Sequence, residues 1–197
     1  MNEDRNRQGA RRLARLSISP PGSILSQRSE RAKKDRIHRV KMGIDMTWVT
    51  DRIALGGGIW TAQNMEAVSR AGITHIIDMQ IEFDDTPLAR GRGIEVCWNP
   101  VDDDFEPKPA EVFELGVEFA LAALEEKEAK ILVHCAAGVH RAPMMTLALL
   151  SVMGWTIDDA MELIEGRRPA ADFADVYVRS VEEFLERRVR SESTKGI

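Results

Sequence analysis

Short apolar runs alternate with longer amphipathic stretches from residue 44 onward. The runs that combine apolar character with β-branched or aromatic side chains lie at 53–55, 75–79, 94–98 and 131–133. Because helical stretches separate these runs, successive strands need crossover connections, which favour parallel pairing. The pattern therefore predicts an α/β fold with a central, mostly parallel sheet of about four or five strands flanked by helices.

Helices are predicted at 62–70, 107–126, from 143 onward, and at 156–165 and 175–190. Thr61 is suited to cap the first of these, and Gly72 is placed to end it. In the helix over 107–126, the apolar stripe expected to face the core consists of Val112, Leu115, Phe119 and Ala122.

The first 43 residues differ from the rest in charge. They hold 12 Lys/Arg and 4 Asp/Glu, whereas the remainder holds 15 and 28. We predict a flexible, basic N-terminal arm over 1–43, a catalytic domain over 44–190 and a short tail over 191–197. The arm is either a solvated tail or a segment that docks an acidic partner. The acidic body makes nucleic acid a poor candidate ligand.

The cellular context follows from what the chain contains. No run of 18 or more apolar residues is present, and the N-terminus lacks the apolar segment of a secretory signal. There are two cysteines, Cys97 and Cys135, too few for a disulfide scaffold. We therefore expect a cytoplasmic protein without a membrane span.

The segment 131–143 carries the candidate chemistry. An apolar run ends at Cys135, Gly138 lies in the middle, Arg141 follows six positions after the cysteine, and Pro143 suits the first turn of a helix. The Cys–Arg spacing alone is weak evidence, but this context predicts a strand–loop–helix cradle for an oxyanion. A buried, unreactive cysteine after a core strand is the structural alternative.

Each part of this loop has a chemical use. Backbone N–H groups of the loop, at Ala136, Ala137, Gly138, Val139 and His140, would converge on a phosphate group. The planar fork of Arg141 matches two phosphate oxygens, and its charge favours a nucleophilic thiolate at Cys135. His134 would order the loop through its ring nitrogens.

This segment resembles the HC-x5-R loop of the cysteine-based protein phosphatases. From about residue 47 to 185 the chain is similar to their compact dual-specificity branch, in the stretches TDRIALGGGIWTAQN, GITHIIDM and GWTIDDAMELIEGRRP. The resemblance implies a phosphomonoester hydrolase that acts on phosphotyrosine and phosphoserine/threonine in proteins or peptides through a phosphocysteine intermediate. It implies no cofactor and no metal.

The resemblance also implies a general acid on a separate loop. Asp103 lies 32 residues before Cys135, which is similar to the spacing in that branch. Asp102 and Asp104 remain alternatives, as does a purely solvated acidic loop, and Asp175 is a weaker candidate for a residue that positions water.

Three departures from the family pattern keep other functions open. Ala142 stands where most relatives place Ser or Thr, which predicts a slow second step. An Arg-Ala-Pro ending resembles the glucan phosphatases, so a carbohydrate-phosphate phosphatase is one alternative, and a weakly active phosphate-binding pseudophosphatase is another. The absence of lysine from the loop disfavours a highly phosphorylated lipid as substrate.

Cys97 is expected to be a buried structural thiol, with a regulatory disulfide to Cys135 as the alternative.

Overall fold

The computed structural model describes residues 43–195, with side chains placed up to residue 191. A five-stranded sheet has the order β1-β2-β5-β3-β4. The strands are β1 Met46–Trp48, β2 Ile53–Gly56, β3 His75–Gln80, β4 Glu95–Val101 and β5 Ile131–His134. The predicted arm lies outside the described residues, so the domain boundaries stay a prediction.

Three of the four strand pairs are parallel. β5 lies between β2 and β3 and is parallel to both, and β3 is parallel to β4. β1 is antiparallel to β2 at the edge, with Met46 opposite Gly56. The predicted mostly parallel sheet is thereby confirmed, whereas the three-residue β1 was too short for its apolar pattern to be recognised. Because β2, β3, β4 and β5 are parallel, their carboxyl ends meet at one edge.

Six helices surround the sheet in the described part of the chain. They are α1 Ala62–Arg70, α2 Thr86–Ala89, α3 Ala110–Glu125, α4 Arg141–Val152, α5 Ile157–Arg167 and α6 Asp175–Lys195. Thr61 caps α1, as expected, by accepting a hydrogen bond from the amide of Asn64. One apolar core packs α3, α4, α5 and α6 against one face of the sheet, and a second packs α1 and α2 against the other face.

The predicted buried stripe of α3 is half right, since Val112 and Phe119 pack against the core whereas Leu115 and Ala122 are exposed. The buried residues are Phe113, Gly116, Val117, Ala120 and Ala123, whereas Leu115 is 51% exposed. Glycine and alanine give little hydrophobic signal, yet here they allow close packing. A Cβ at Gly116 would lie 2.7 Å from the sulfur of Met145 on α4, so a larger residue would require the Met145 side chain to move.

Helix α4 is the central element of the larger core. Its first ten residues, from Arg141 to Leu150, are all buried. A helix that is buried on every side must be surrounded, and α4 contacts α3, α5, α6 and the strands β2 and β5. The loop that leads from β5 into α4 is therefore fixed at both ends. Within residues 43–195, no helix combines the length and apolar character that a membrane crossing requires.

Candidate active site

The loop that carries Cys135 joins the carboxyl end of β5 to the first residue of α4. Cys135 is 1% exposed, and the amide of Gly138 donates a hydrogen bond to its sulfur over 3.2 Å. A backbone N–H that points at sulfur stabilises a thiolate more than a thiol, since the anion is the better acceptor. The loop thus gives the sulfur of Cys135 a backbone hydrogen-bond donor.

The carbonyl groups of this loop are bonded to its surroundings. Ala136 accepts from the amide of Gly58 (3.0 Å), Ala137 from Arg168 Nη2 (3.1 Å), Gly138 from Arg168 Nε (2.7 Å) and Val139 from the amide of Asp172 (2.8 Å). Each carbonyl is opposed in direction to the N–H of the same peptide unit, because the unit is planar and trans. Tying four successive carbonyls to the outside therefore turns the amide groups toward the inside.

Arg168 is the side chain that holds this loop. Besides the two carbonyl bonds, its guanidinium forms a bidentate ion pair with Asp45 over 3.0 and 2.6 Å. Arg168 is 2% exposed. The sequence pointed to this arginine only through the GRRP stretch, and nothing in the sequence marked Asp45 as its partner.

Gly138 is required by both conformation and space. Its φ is +65°, in the left-handed region that favours glycine. A Cβ at this position would overlap Arg168 Nη2 and the carbonyl of Gly56. The glycine in the motif therefore permits the two contacts that give the loop its shape.

Arg141 is oriented by partners on two other loops. Its Nη1 and Nη2 donate to the two oxygens of Glu82 over 2.9 and 2.8 Å, and Nη1 also donates to the carbonyl of Val101 over 3.0 Å. The hydrogen bond from Arg141 holds the pKa of Glu82 below its usual range. Burial works to lower the pKa of Arg141, but the bond to Glu82 and the charge of Cys135 raise it above its ordinary value overall.

One donor of this guanidinium has no partner. Nε of Arg141 is buried and makes no hydrogen bond within the described part of the chain. Unpartnered buried donors are rare because each costs about 1–3 kcal/mol. A site that binds an oxyanion should contain such an unsatisfied N–H group before the anion arrives. The free Nε–H of Arg141, close to Cys135, fits this expectation.

Asp103 is the carboxylate that faces the loop. Its Oδ2 lies 3.0 Å from Nδ1 of His140 and 3.8 Å from Nε of Arg141, and its Oδ1 accepts a hydrogen bond from the hydroxyl of Tyr177 over 3.0 Å. The two alternatives point elsewhere. Asp102 makes none of these contacts, and Asp104 pairs with Lys108, whose hydrogen bond holds the pKa of Asp104 below its usual range.

Tyr177 connects the acid to α6. Its hydroxyl accepts from the amide of Phe105 over 3.0 Å while donating to Asp103. Burial first, and then the hydrogen bond to Asp103, raise the pKa of Tyr177 to about 12, so it remains a neutral donor at physiological pH. Tyr177 is a site residue that the sequence did not reveal, because a position within a predicted helix gives no sign of a contact with Asp103.

Phe105 and His140 form the rim next to the acid. Phe105 has a φ of +59°, which is unusual for a bulky side chain, and it is 52% exposed. Its ring stacks on Tyr177 at 5.8 Å and meets His140 edge-on at 5.0 Å. Nε2 of His140 lies 3.4 Å from Asp172. His140 thus bridges two carboxylates at the rim, besides contributing its amide to the loop.

His134 lies behind the loop in a buried acidic cluster that the sequence did not predict. Its Nε2 is 3.0 Å from Asp85 and 3.6 Å from Asp78, and all three side chains are fully buried. Burial raises the pKa of Asp78 to about 6, against the lowering effect of His134. Both oxygens of Asp78 already accept backbone amides, from Gln80 and Asp85. His134 thus lies against two buried carboxyl groups and anchors the end of β5.

Cys97 is too far from Cys135 for a disulfide. Cys97 lies on β4, opposite Ile77 of β3, and β3 separates β4 from β5. Two strand spacings amount to about 9.6 Å, above the limit of about 7 Å between Cα atoms that a disulfide can bridge. Burial raises the pKa of Cys97 to about 11, which keeps it a thiol. Asp175 is exposed at the start of α6, and no contact within the described residues joins it to the loop.

The chain was compared with known proteins. Residues 58–187 match the family model described as dual specificity phosphatase, catalytic domain. Protein tyrosine phosphatase type IVA 3 of Homo sapiens is 31% identical over 109 residues, which are 54% of this chain and 62% of that protein. Dual specificity protein phosphatase 26 of Rattus norvegicus is 31% identical over 110 residues, 54% of this chain and 52% of that protein. The chain spans less than two thirds of the length of both relatives.

Two solved structures extend the likeness to the fold. The crystal structure of DUSP15 is 29% identical, covers 72% of this chain and 88% of its own, and superposes with a TM-score of 0.62. The crystal structure of PTPMT1 covers 76% of this chain and 99% of its own, with a TM-score of 0.65. At 20% identity it supports the fold alone.

Replacing Arg168 with Lys tests what orders the loop. A lysine cannot reproduce the fork that holds two carbonyls and Asp45, so we expect inorganic phosphate to bind at least about tenfold more weakly, since hydrogen bonds to charged groups contribute about 1.5–3 kcal/mol each. Isothermal titration with phosphate measures this. Arg167→Lys is the matched control, and an equal loss in both variants would contradict the role of Arg168.

Proposed function

The chain belongs to the dual specificity phosphatase family, and we propose that it is a cysteine-dependent phosphomonoester hydrolase that acts on phosphorylated tyrosine, serine and threonine. The observation that carries this proposal is the convergence of three chemical groups from two loops on one small volume. The sulfur of Cys135 and the free Nε of Arg141 come from the loop between β5 and α4, and the carboxyl group of Asp103 comes from the loop after β4. A nucleophile, a phosphate fork and an acid are the groups that phosphoryl transfer to a thiolate needs.

In the first step, the thiolate sulfur of Cys135 forms a bond to phosphorus in line with the leaving oxygen. The bond from phosphorus to that oxygen breaks, and Asp103 gives it a proton, so that a neutral alcohol or phenol departs. The inward amides and Arg141 hold the equatorial oxygens, where negative charge is spread in the transition state. The products are a phosphocysteine, the free hydroxyl compound and an ionised Asp103.

In the second step, water attacks the phosphocysteine. Its oxygen bonds to phosphorus, its proton passes to the Asp103 carboxylate, and the sulfur–phosphorus bond breaks to restore the thiolate. Phosphate leaves, and the enzyme regains its starting protonation. Tyr177 and His140 keep Asp103 in place through both steps by their hydrogen bonds to its two oxygens.

Phosphoprotein is the substrate class that the relatives support. The family model and the curated relatives are named as dual specificity or protein tyrosine phosphatases. The Arg-Ala-Pro ending by itself left a carbohydrate phosphate open. The exposed aromatic residue Trp155, which could have lined a sugar channel, instead lines an apolar groove with Leu121 and Val189.

Exchanging each cysteine for serine tests the nucleophile. Cys135→Ser should abolish hydrolysis of a generic aryl phosphate without added metal, because a serine hydroxyl is not ionised at neutral pH. Cys97→Ser is the matched control and should keep activity, since Cys97 lies two strands away. The activity of both variants is measured as phosphate release at pH 7. Activity that survives in Cys135→Ser would contradict a mechanism with Cys135 as nucleophile.

Asp103→Asn tests the general acid through the leaving group. An amide cannot supply the proton, so the rate should fall by about 10²–10⁴ for alkyl or phenyl phosphates and much less for nitrophenyl phosphate, whose oxygen departs unprotonated. Asp102→Asn should leave this dependence as it is in the unaltered protein. A uniform loss across all leaving groups would point to a structural effect instead.

Ala142→Ser tests the second step. Ala142 follows Arg141 directly and is fully buried at the start of α4. A hydroxyl at this position should stabilise the departing thiolate by about 1.5–3 kcal/mol, the value of a hydrogen bond to a charged group, and so shorten the phosphocysteine lifetime. Rapid-quench detection of the phosphoenzyme, with steady-state turnover alongside, measures this. Unchanged lifetime and turnover would contradict it.

A further inference from the structure

The surface around the candidate site is acidic, although the proposed substrate carries a phosphate dianion. Five segments form this surface: 56–61, 80–86, 102–109, 135–141 and 168–174. Together they contain eight Asp/Glu, of which Asp85 is buried behind the loop, and three Lys/Arg. All three bases are buried and paired: Arg141 with Glu82, Arg168 with Asp45, and Lys108 with Asp104. The cationic groups therefore serve the interior of the site, and the exposed charge is negative.

Three of the acids are free to meet a ligand. Asp84, Asp102 and Glu106 make no ion pair within the described part of the chain. We call these three residues the acidic rim. The rim borders a site whose floor holds the buried, unpartnered Nε of Arg141, so the surface has a phosphate position at its centre and negative charge at its edge.

Exposed aromatic rings accompany the rim on both sides. Phe105 lies between the rim residues Asp102 and Glu106 in the chain and is 52% exposed. Trp60, 51% exposed, packs its ring 6.1 Å from that of Phe83, which precedes Asp84. Arginine and lysine bind where a carboxylate and an aromatic face occur together, through ion pairing and cation–π attraction.

We propose that the acidic rim selects phosphopeptides that carry arginine or lysine next to the phosphorylated residue. This rests on the proposed phosphatase function and assigns its substrate class. The phosphate enters the cradle above Arg141, and flanking cations lie against Asp102 and Glu106 on one side and against Asp84 on the other. A phosphopeptide with acidic neighbours meets like charge at the same positions and is rejected.

Two phosphotyrosine peptides of equal length test this with the full chain. One carries arginine on both sides of the phosphotyrosine, and the other carries glutamate. The kcat/KM should favour the arginine peptide, and the ratio should shrink as salt is added, because exposed charges are screened. In Asp102→Asn/Glu106→Gln the ratio should fall about two- to tenfold, the effect of losing two exposed ion pairs. Hydrolysis of an aryl phosphate that carries no other charged group should stay unchanged in that variant.

Glu125→Gln/Glu128→Gln is the matched control. It removes the same charge from the end of α3 and the loop before β5, at the opposite edge of the sheet from the catalytic loop, and should leave the ratio intact. Equal kcat/KM for the two peptides at low salt would overturn the proposal, as would an equal change in the control variant.

Binding measurements separate this proposal from the phosphatase function. With Cys135→Ser, which does not consume the peptides, titration calorimetry should give the arginine peptide the lower Kd. If aryl phosphate hydrolysis is absent but this preference holds, the proposed catalysis fails and the rim assignment stands. If neutralising Lys33 and Lys34 creates a preference that the unaltered chain lacks, the basic segment of this chain occupies the rim, and the proposal is wrong.

Discussion

The ion pair between Arg168 and Asp45 is the interaction on which the site depends. A loop of small residues has no intrinsic reason to turn its amides inward, and an inward cradle of N–H groups is unfavourable while no anion fills it. Arg168 offsets this cost by binding the carbonyls of Ala137 and Gly138 from behind. Asp45 neutralises the buried guanidinium, which would otherwise be too costly to bury. The cradle is therefore organised before phosphate arrives.

A second constraint brings the acid to the nucleophile. The loop with Asp103 follows β4, and the cysteine loop follows β5, so the sheet alone leaves one strand between them. Tyr177 of α6 and His140 of the cysteine loop each bind one oxygen of Asp103, and Phe105 packs against both of their rings. Two separate elements thus hold one carboxyl group. The φ of Phe105 is unfavourable, but the ring contacts that it allows help to place Asp103 beside Arg141.

The sequence was informative where one local segment contains the whole signal. The strand, the cysteine, the glycine and the arginine of the catalytic loop are contiguous, and the predicted parallel sheet follows from apolar runs alone. Partners contributed by distant segments left no such signal: Asp45 for Arg168, Glu82 for Arg141 and Tyr177 for Asp103 are acidic or aromatic residues in ordinary contexts. The stripe of α3 was half wrong for a related reason, because a close contact of this helix uses Gly116, which hydrophobic periodicity does not register.

The charges of this site act over two different distances. Inside, the amides, Arg141 and the thiolate are buried, where solvent screens little and geometry decides which ligand fits. At the rim, Asp84, Asp102 and Glu106 are in contact with water, and their field fades over about 8 Å at physiological ionic strength. A phosphate in the cradle is therefore held by the floor, whereas the rim acts on groups one or two residues away along a substrate. Affinity for phosphate and selection of the residues that flank it in a substrate are then separate properties. A substitution at the rim can therefore change the second without changing the first.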